Sequence, residues 1–127
     1  ARIESLTAGT RPSEPMFLSL IKIVPIPEKR DTLLGILNSV QRKTKVMPGC
    51  TDCVVYEESG NVTAILYLEG WGSREALHRH IRSGLYIRVL HAMDLASQRP
   101  DVFFYEVSGQ KGLDLIQALR ESGQEMQ

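Results

Sequence analysis

The sequence lacks a net charge and a long apolar run. Its 15 Lys and Arg residues balance 15 Asp and Glu residues, so the formal net charge is zero, whereas a nucleic-acid binder normally carries a basic surface. No apolar run approaches the roughly 20 residues that span a membrane, and residues 1–15 lack the apolar segment of a signal peptide. We therefore expect neither a nucleic-acid partner nor a membrane partner.

Cysteine is also scarce. Two cysteines cannot form the disulfide framework of a small secreted protein, so a reducing cytoplasm is the expected compartment. Cys50 and Cys53 match the C-x-x-C spacing but open a strand-like segment, where three extended residues separate their Cα atoms by about 10 Å, beyond disulfide reach. No second C-x-x-C, His-Glu-x-x-His motif, Gly-rich phosphate loop or nucleophile elbow is present. We therefore expect no metal site and no cofactor.

The remaining composition is that of one ordinary globular domain. A chain of 127 residues with 43% hydrophobic residues can bury a core without disulfides or a structural metal. Residues 1–15 contain Gly9, Pro12 and Pro15 and show no periodicity, so we expect a flexible arm there. Residues 16–127 are expected to form a single domain.

Hydrophobic periodicity alternates between strand and helix along the chain. Apolar and β-branched runs predict four strands, at Met16–Val24, Cys50–Glu58, Val62–Gly70 and Val102–Val107. A period near 3.6 residues predicts three helices, at Glu28–Met47, from Ser73 to before Arg99, and at Gly112–Ser122. The second of these is expected to be broken or bent near Ser83 and Gly84. The order βαββαβ plus a C-terminal helix predicts an α+β, ferredoxin-like fold with a four-stranded antiparallel sheet.

Both faces of the predicted sheet are apolar. In the third strand Tyr67 and Trp71 fall on one face and Leu66 and Leu68 on the other. One helical layer covers only one face, and exposure of the other would cost several kcal/mol at about 25 cal/mol per Å². We therefore expect a homodimer in which two sheets pack together across a two-fold axis. In the alternative, the terminal helix or the N-terminal arm covers that face within one protomer.

The second helical region contains all three histidines. His78 follows Arg74 by one helical turn and precedes Arg82 by one turn, which predicts a solvated position, whereas His80 lies on the stripe that faces the sheet. A histidine beside a cavity is a candidate acid or base, although a structural histidine in the core is the alternative. His91 lies three residues before Asp94, whose carboxylate could orient the ring.

The end of the third strand supplies candidate pocket residues. Trp71 shares one strand face with Glu69, Tyr67 and Ile65. Together with His80 they are expected to line an apolar pocket between the sheet and the helices. In the alternative, Tyr67 and Trp71 are ordinary core residues.

The sequence resembles the antibiotic biosynthesis monooxygenase family in three places: the Pro48-Gly49-Cys50 turn, the Glu69-Gly70-Trp71 strand end, and the helix that carries His80. The resemblance implies a dimeric α+β barrel. It also implies oxidation of quinols or polycyclic aromatic compounds by molecular oxygen without a metal or flavin. Carried onto this chain, the resemblance makes His80 the proton acceptor, Glu69 an orienting acid and Trp71 a wall of the pocket. From their positions in the sequence, we expect Tyr67, Ile65 and His91 to be substrate contacts.

A haem-degrading branch of the same family uses an Asn on strand one and an iron-binding His on a helix. Here Ser19 is the only small polar residue of strand one, and Leu90 occupies the position expected for that His, with His91 one residue later. Our first hypothesis is therefore a cofactor-independent monooxygenase that acts on a small quinol-like or phenolic aromatic compound. The second is a non-catalytic dimeric module that binds a small metabolite, and the third is a haem-degrading monooxygenase.

Overall fold

The computed structural model describes residues 16–60 and 63–125. The arm predicted at residues 1–15 therefore lies outside the described residues. Eight elements follow one another along the chain: β1 (Met16–Ile23), α1 (Arg30–Thr44), β2 (Cys50–Glu57), β3 (Ile65–Trp71), α2 (Arg74–Arg82), α3 (Gly84–Met93), β4 (Asp101–Val107) and α4 (Leu113–Glu125). Met16–Glu106 forms one compact unit, and α4 belongs to a second unit.

The four strands form one sheet in the order β2-β3-β1-β4. Strand β3 pairs antiparallel with β1 on one side and with β2 on the other. This order places the hairpin strands β2 and β3 side by side and inserts β1 between β3 and β4, which is the arrangement of the ferredoxin-like α+β fold. The predicted fold class is confirmed.

The helix boundaries differ from the predicted ones in two places. Helix α1 follows a 3-10 turn at Pro27–Lys29 and ends at Thr44, so that Val46, predicted to continue the apolar stripe, is 79% exposed. The second predicted helix is broken at Ser83, as one of the two alternatives for this position had it, because Ser83 has an extended backbone (φ −78°, ψ 160°) between α2 and α3. An extended residue cannot continue the helical hydrogen bonds, so two helices form instead of one.

Strand β2 begins with an irregularity that the sequence did not reveal. Cys50 pairs with Trp71 and Asp52 pairs with Gly70, so Thr51 is an extra residue in a β-bulge. Because of the bulge, Cys50 lies opposite Trp71 and Cys53 lies opposite Glu69, two residues apart on β3. The segment between the two cysteines is therefore not fully extended, although the sequence had led us to expect that it would be. Both cysteines are free thiols.

The core lies between one face of the sheet and the helices. Strand β1 alternates strictly between half-buried and buried residues, and α1 buries Leu33, Leu37 and Val40 at helical spacing. Helix α3 adds Val89 and Ala92 to the same cluster. These contacts fix the helical layer over the central strands β1 and β3.

The opposite face of the sheet is less covered. Leu66 and Leu68 of β3, like Leu18 and Leu20 of β1, are half-buried, and the register pairs Leu20 with Leu68. We call the face that carries these four leucines the open face. The sheet thus carries apolar residues on both faces, as predicted from the sequence.

Strand β4 and helix α4 also expose apolar residues. In β4 the rings of Phe103 and Tyr105 stack with centroids 6.1 Å apart and are 49% and 46% exposed. In α4 Ile116 and Leu119 are 55% and 62% exposed. Among the described residues, no helix combines the length and hydropathy that a membrane crossing requires.

Candidate functional site

Strand β3 and helix α2 bring together the residues expected to form the site. Because side chains alternate along a strand, Tyr67, Glu69 and Trp71 all project from β3 toward the helices, and all three are buried. Ser73 then begins α2, since its hydroxyl accepts a hydrogen bond from the Ala76 amide at 3.1 Å. This cap fixes the start of the helix that places His80 over Glu69.

Glu69 is the centre of the cluster. Its side chain has no exposed surface, yet both carboxylate oxygens have partners. The indole Nε1–H of Trp71 donates to Oε1 at 2.9 Å, and Nε2 of His80 lies 2.9 Å from Oε2. A buried charge is tolerated only when it is paired and hydrogen-bonded, and these two bonds meet that condition.

The imidazole of His80 is held between two aromatic rings. Its centroid lies 4.9 Å from that of Trp71 at a tilt of 34°, and 5.3 Å from that of Tyr86 in an edge-on arrangement. His80 itself is only 4% exposed. A proton on Nε2 would be donated to the Glu69 carboxylate, and Nδ1 is the ring nitrogen that faces away from Glu69. The sequence prediction that His80 points inward is confirmed.

The buried carboxylate affects the groups around it. Burial, followed by the charge of Glu69, raises the pKa of Tyr67, and the same two causes raise the pKa of Tyr86 to about 12. Burial raises the pKa of Cys53 to about 12 as well, and the Cys53 thiol donates to the Tyr67 hydroxyl at 3.3 Å. These groups therefore stay protonated near neutral pH, and Cys53 is a packed thiol instead of a nucleophile.

The turn before β2 supports Trp71 from behind. Gly49 has a φ of +88°, and a Cβ built on it would lie 2.7 Å from the Cβ of Ala76 and 4.0 Å from the Trp71 ring. Only glycine fits both the backbone conformation and the space. Gly49 is thus required by the close approach of this turn to α2.

The structure does not bring together every residue predicted for the site. Ile65 and Tyr67 lie on the same face of β3 as Glu69, and both have 0% exposure. A side chain that lined a cavity large enough for water would have some accessible surface. The expected pocket is therefore absent beside these two residues, which are packed in the core. His91 lies on α3 with its side chain exposed, and its ring takes no part in the contacts of His80.

Two residues near Glu69 were not assigned to the site from the sequence. Tyr86 packs against His80, a contact that depends on the break between α2 and α3. Ser19 lies directly opposite Glu69 in the register of β1 and β3 and is 1% exposed. Its Oγ has no hydrogen-bond partner in the described part of the chain. The strand alternation of β1 could have placed Ser19 on this face, but no local signal links it to Glu69.

No cluster of three or more His, Cys, Asp or Glu side chains suited to a metal ion occurs among residues 16–60 and 63–125. Nε2 of His80 and Oε2 of Glu69 are hydrogen-bonded to each other. The arrangement can hold an imidazole in one tautomer and orient its second nitrogen.

A family model described as antibiotic biosynthesis monooxygenase matches residues 16–91, which is more than half of the chain. A search of curated proteins finds no match to the sequence.

Solved structures share the fold. A conserved protein from Methanosarcina mazei Go1 is 24% identical with a TM-score of 0.67, and the match covers 74% of this chain and 94% of that one. Two structures are described as candidate antibiotic biosynthesis monooxygenases. The protein from Deinococcus radiodurans has 19% identity, a TM-score of 0.68 and coverage of 76% and 97%. The protein from Nitrosomonas europaea has 12% identity, a TM-score of 0.67 and coverage of 76% and 94%.

Proposed function

Because the chain belongs to the antibiotic biosynthesis monooxygenase family, we propose that it oxidises a small quinol-like or phenolic aromatic compound with molecular oxygen. One atom of the oxygen molecule forms a bond to a ring carbon of the substrate, and the other is released as water. For a quinol, the two electrons and two protons that form this water come from the substrate, which becomes a hydroxylated quinone. The reaction balances without an added reductant, and the proposal assigns no step to a flavin or a metal.

The observation that carries the proposal is the hydrogen-bonded cluster of Glu69, Trp71 and His80. A phenol reacts with oxygen more readily as its anion, so the protein must accept the phenolic proton. Glu69 holds Nε2 of His80 at 2.9 Å, which leaves Nδ1 to take that proton. Glu69 then stabilises the imidazolium that forms.

In this proposal Glu69 and Trp71 are positioning residues. Trp71 donates to the Glu69 oxygen that His80 does not use, so the carboxylate cannot rotate away without losing a bond. The indole ring also packs along the imidazole and forms a wall of the site. Preorganised contacts of this kind remove the cost of arranging the groups during the reaction.

The substrate must reach a cluster that is closed in this structure. His80 is 4% exposed and Tyr86 is 7% exposed, so a ligand reaches Nδ1 only when neighbouring side chains move. Tyr67 and Ile65 would become substrate contacts in that opened state. His91 would contact only the part of a ligand that extends to the surface of α3.

Oxygen consumption with a panel of hydroquinones and polycyclic phenols tests the proposal. His80→Gln keeps an N–H donor for Glu69 but has no basic nitrogen, so we expect turnover to fall by about 100-fold or more. Trp71→Phe should lower turnover through loss of its bond to Glu69. Arg42→Gln, on the exposed side of α1, is the control. Full turnover by a folded His80→Gln protein would remove His80 from the mechanism.

A second candidate function is a module that binds a small metabolite without catalysis. The complete burial of Glu69 and Tyr67 supports the non-catalytic part of this candidate, because a cluster that only holds the sheet and helices together needs no access to a substrate. In that case a ligand would raise the melting temperature while no compound of the panel would support oxygen uptake.

The proposal includes a homodimer formed through the open face. The half-buried leucines of β1 and β3 and the exposed rings of Phe103 and Tyr105 support it, because burial of this surface at about 25 cal/mol per Å² would favour association. We also place the protein in the cytoplasm, where free thiols such as Cys50 and Cys53 stay reduced.

A further inference from the structure

A groove runs along the outer surface of α2, on the side away from the sheet. It is open to solvent, and the space within it has a volume of about 580 Å³. Five residues line it: Glu75, His78, Arg79, Arg82 and Ser83. Helix α2 packs on the core through Ala76, Leu77 and His80, so the groove and the Glu69 cluster lie on opposite sides of the helix.

The two arginines of the groove project from one face of the helix. Arg79 and Arg82 are three residues apart, and residues three or four apart are neighbours on a helix surface. His78 precedes Arg82 by four residues and joins the same side. Two guanidinium groups on adjacent turns can therefore point at one ligand group.

Within residues 16–60 and 63–125, the charges of Arg79 and Arg82 have no acidic partner. Arg74, on the same helix, is paired with Glu106 at 3.1 Å. No carboxylate of a described residue lies within 4.0 Å of the guanidinium groups of Arg79 and Arg82. The Ser83 hydroxyl is already used, because it donates to the His80 carbonyl at 2.6 Å. In a chain with zero net charge, the groove is a local excess of positive charge, with Glu75 as its one acid.

We propose that this groove binds a small organic molecule through a carboxylate or phosphate group held by Arg79 and Arg82. The planar guanidinium group presents paired N–H donors that match the oxygens of either group. The groove volume leaves room for an organic body beside the charged end. The proposal is independent of the oxidation chemistry, and a second copy on the open face would leave the groove accessible because α2 lies on the other side of the sheet.

Titrations with benzoate and with inorganic phosphate, followed by backbone amide NMR at constant ionic strength, test the proposal and separate the two anion types. We expect saturable shifts confined to residues 75–84 for at least one probe. Arg79→Ala with Arg82→Ala should raise the dissociation constant by about tenfold or more, since hydrogen bonds to charged groups are lost. Glu75→Gln should tighten binding because it removes the repelling carboxylate.

The matched control is Arg42→Ala with Lys43→Ala, which removes the same charge from exposed positions of α1. This variant should bind like the unmodified protein. Shifts that do not saturate, or an equal loss of binding in the control variant, would show nonspecific attraction and overturn the proposal.

Discussion

The two sides of β3 differ in what they hold and in how they are covered. On the side of the helices, Tyr67 and Glu69 have 0% exposure and Trp71 has 1%. On the open face, Leu66 and Leu68 are only half-buried. The strand thus places its carboxylate in the dry interior and its leucines on the accessible side. The interior side is organised by hydrogen bonds to one charge, whereas the open face is suited to association.

Replacement of the carboxylate should give the largest effect. Glu69→Ala leaves the His80 and Trp71 donors buried without an acceptor, so we expect the free energy of unfolding to fall by about 3–5 kcal/mol. Glu69→Gln keeps one carbonyl acceptor and should lose less. Urea denaturation of the two variants measures the difference.

Leu68→Ala is the matched truncation on the open face, and in a protomer it should cost less than Glu69→Ala because Leu68 is only half-buried. A loss from Glu69→Ala no larger than that from Leu68→Ala would mean that the interior hydrogen bonds contribute little. The two sides of β3 would then differ in how exposed their side chains are, but not in how much hydrogen bonding stabilises them.

The open face can be tested by adding charge to it. Leu68→Arg would place a charged side chain from each protomer in the interface of the proposed dimer, so we expect the dissociation constant of the dimer to rise by about 100-fold or more. Sedimentation equilibrium measures it. Val46→Arg adds the same charge at an exposed position after α1 and should leave association unchanged. A Leu68→Arg protein that remains dimeric would move the interface away from this face.

The fold was predictable because its signals are local. The alternation in β1 and β3, the cap at Ser73 and the period of α1 each depend on residues close in sequence. The bulge at Thr51 was missed because an extra residue in one strand is defined only against its partner.

The site was predictable only in part. The face shared by Glu69 and Trp71 and the inward direction of His80 follow from strand and helix periods. The pairing of Glu69 with His80, the contact of Tyr86 and the position of Ser19 depend on how separate elements pack. Packing density also decides whether aromatic residues leave a pocket, and the sequence pattern of Tyr67 and Ile65 is the same in a filled core and in a cavity wall.

Tyr86 gives the smallest effect, one that appears only at high pH. Burial and then the charge of Glu69 raise its pKa from 10.0 to about 12. A raised pKa means that folding favours the neutral phenol, so this contribution to stability is complete below pH 10 and is lost as the pH rises through about 12. Tyr86→Phe keeps the ring against His80 but cannot ionise. The unmodified protein should therefore lose stability relative to Tyr86→Phe between pH 10 and 12, as measured by urea denaturation at each pH. Parallel pH profiles would show that Tyr86 ionises equally easily in the folded and unfolded chains, and the dry environment assigned to this side of the sheet would then not extend to its hydroxyl.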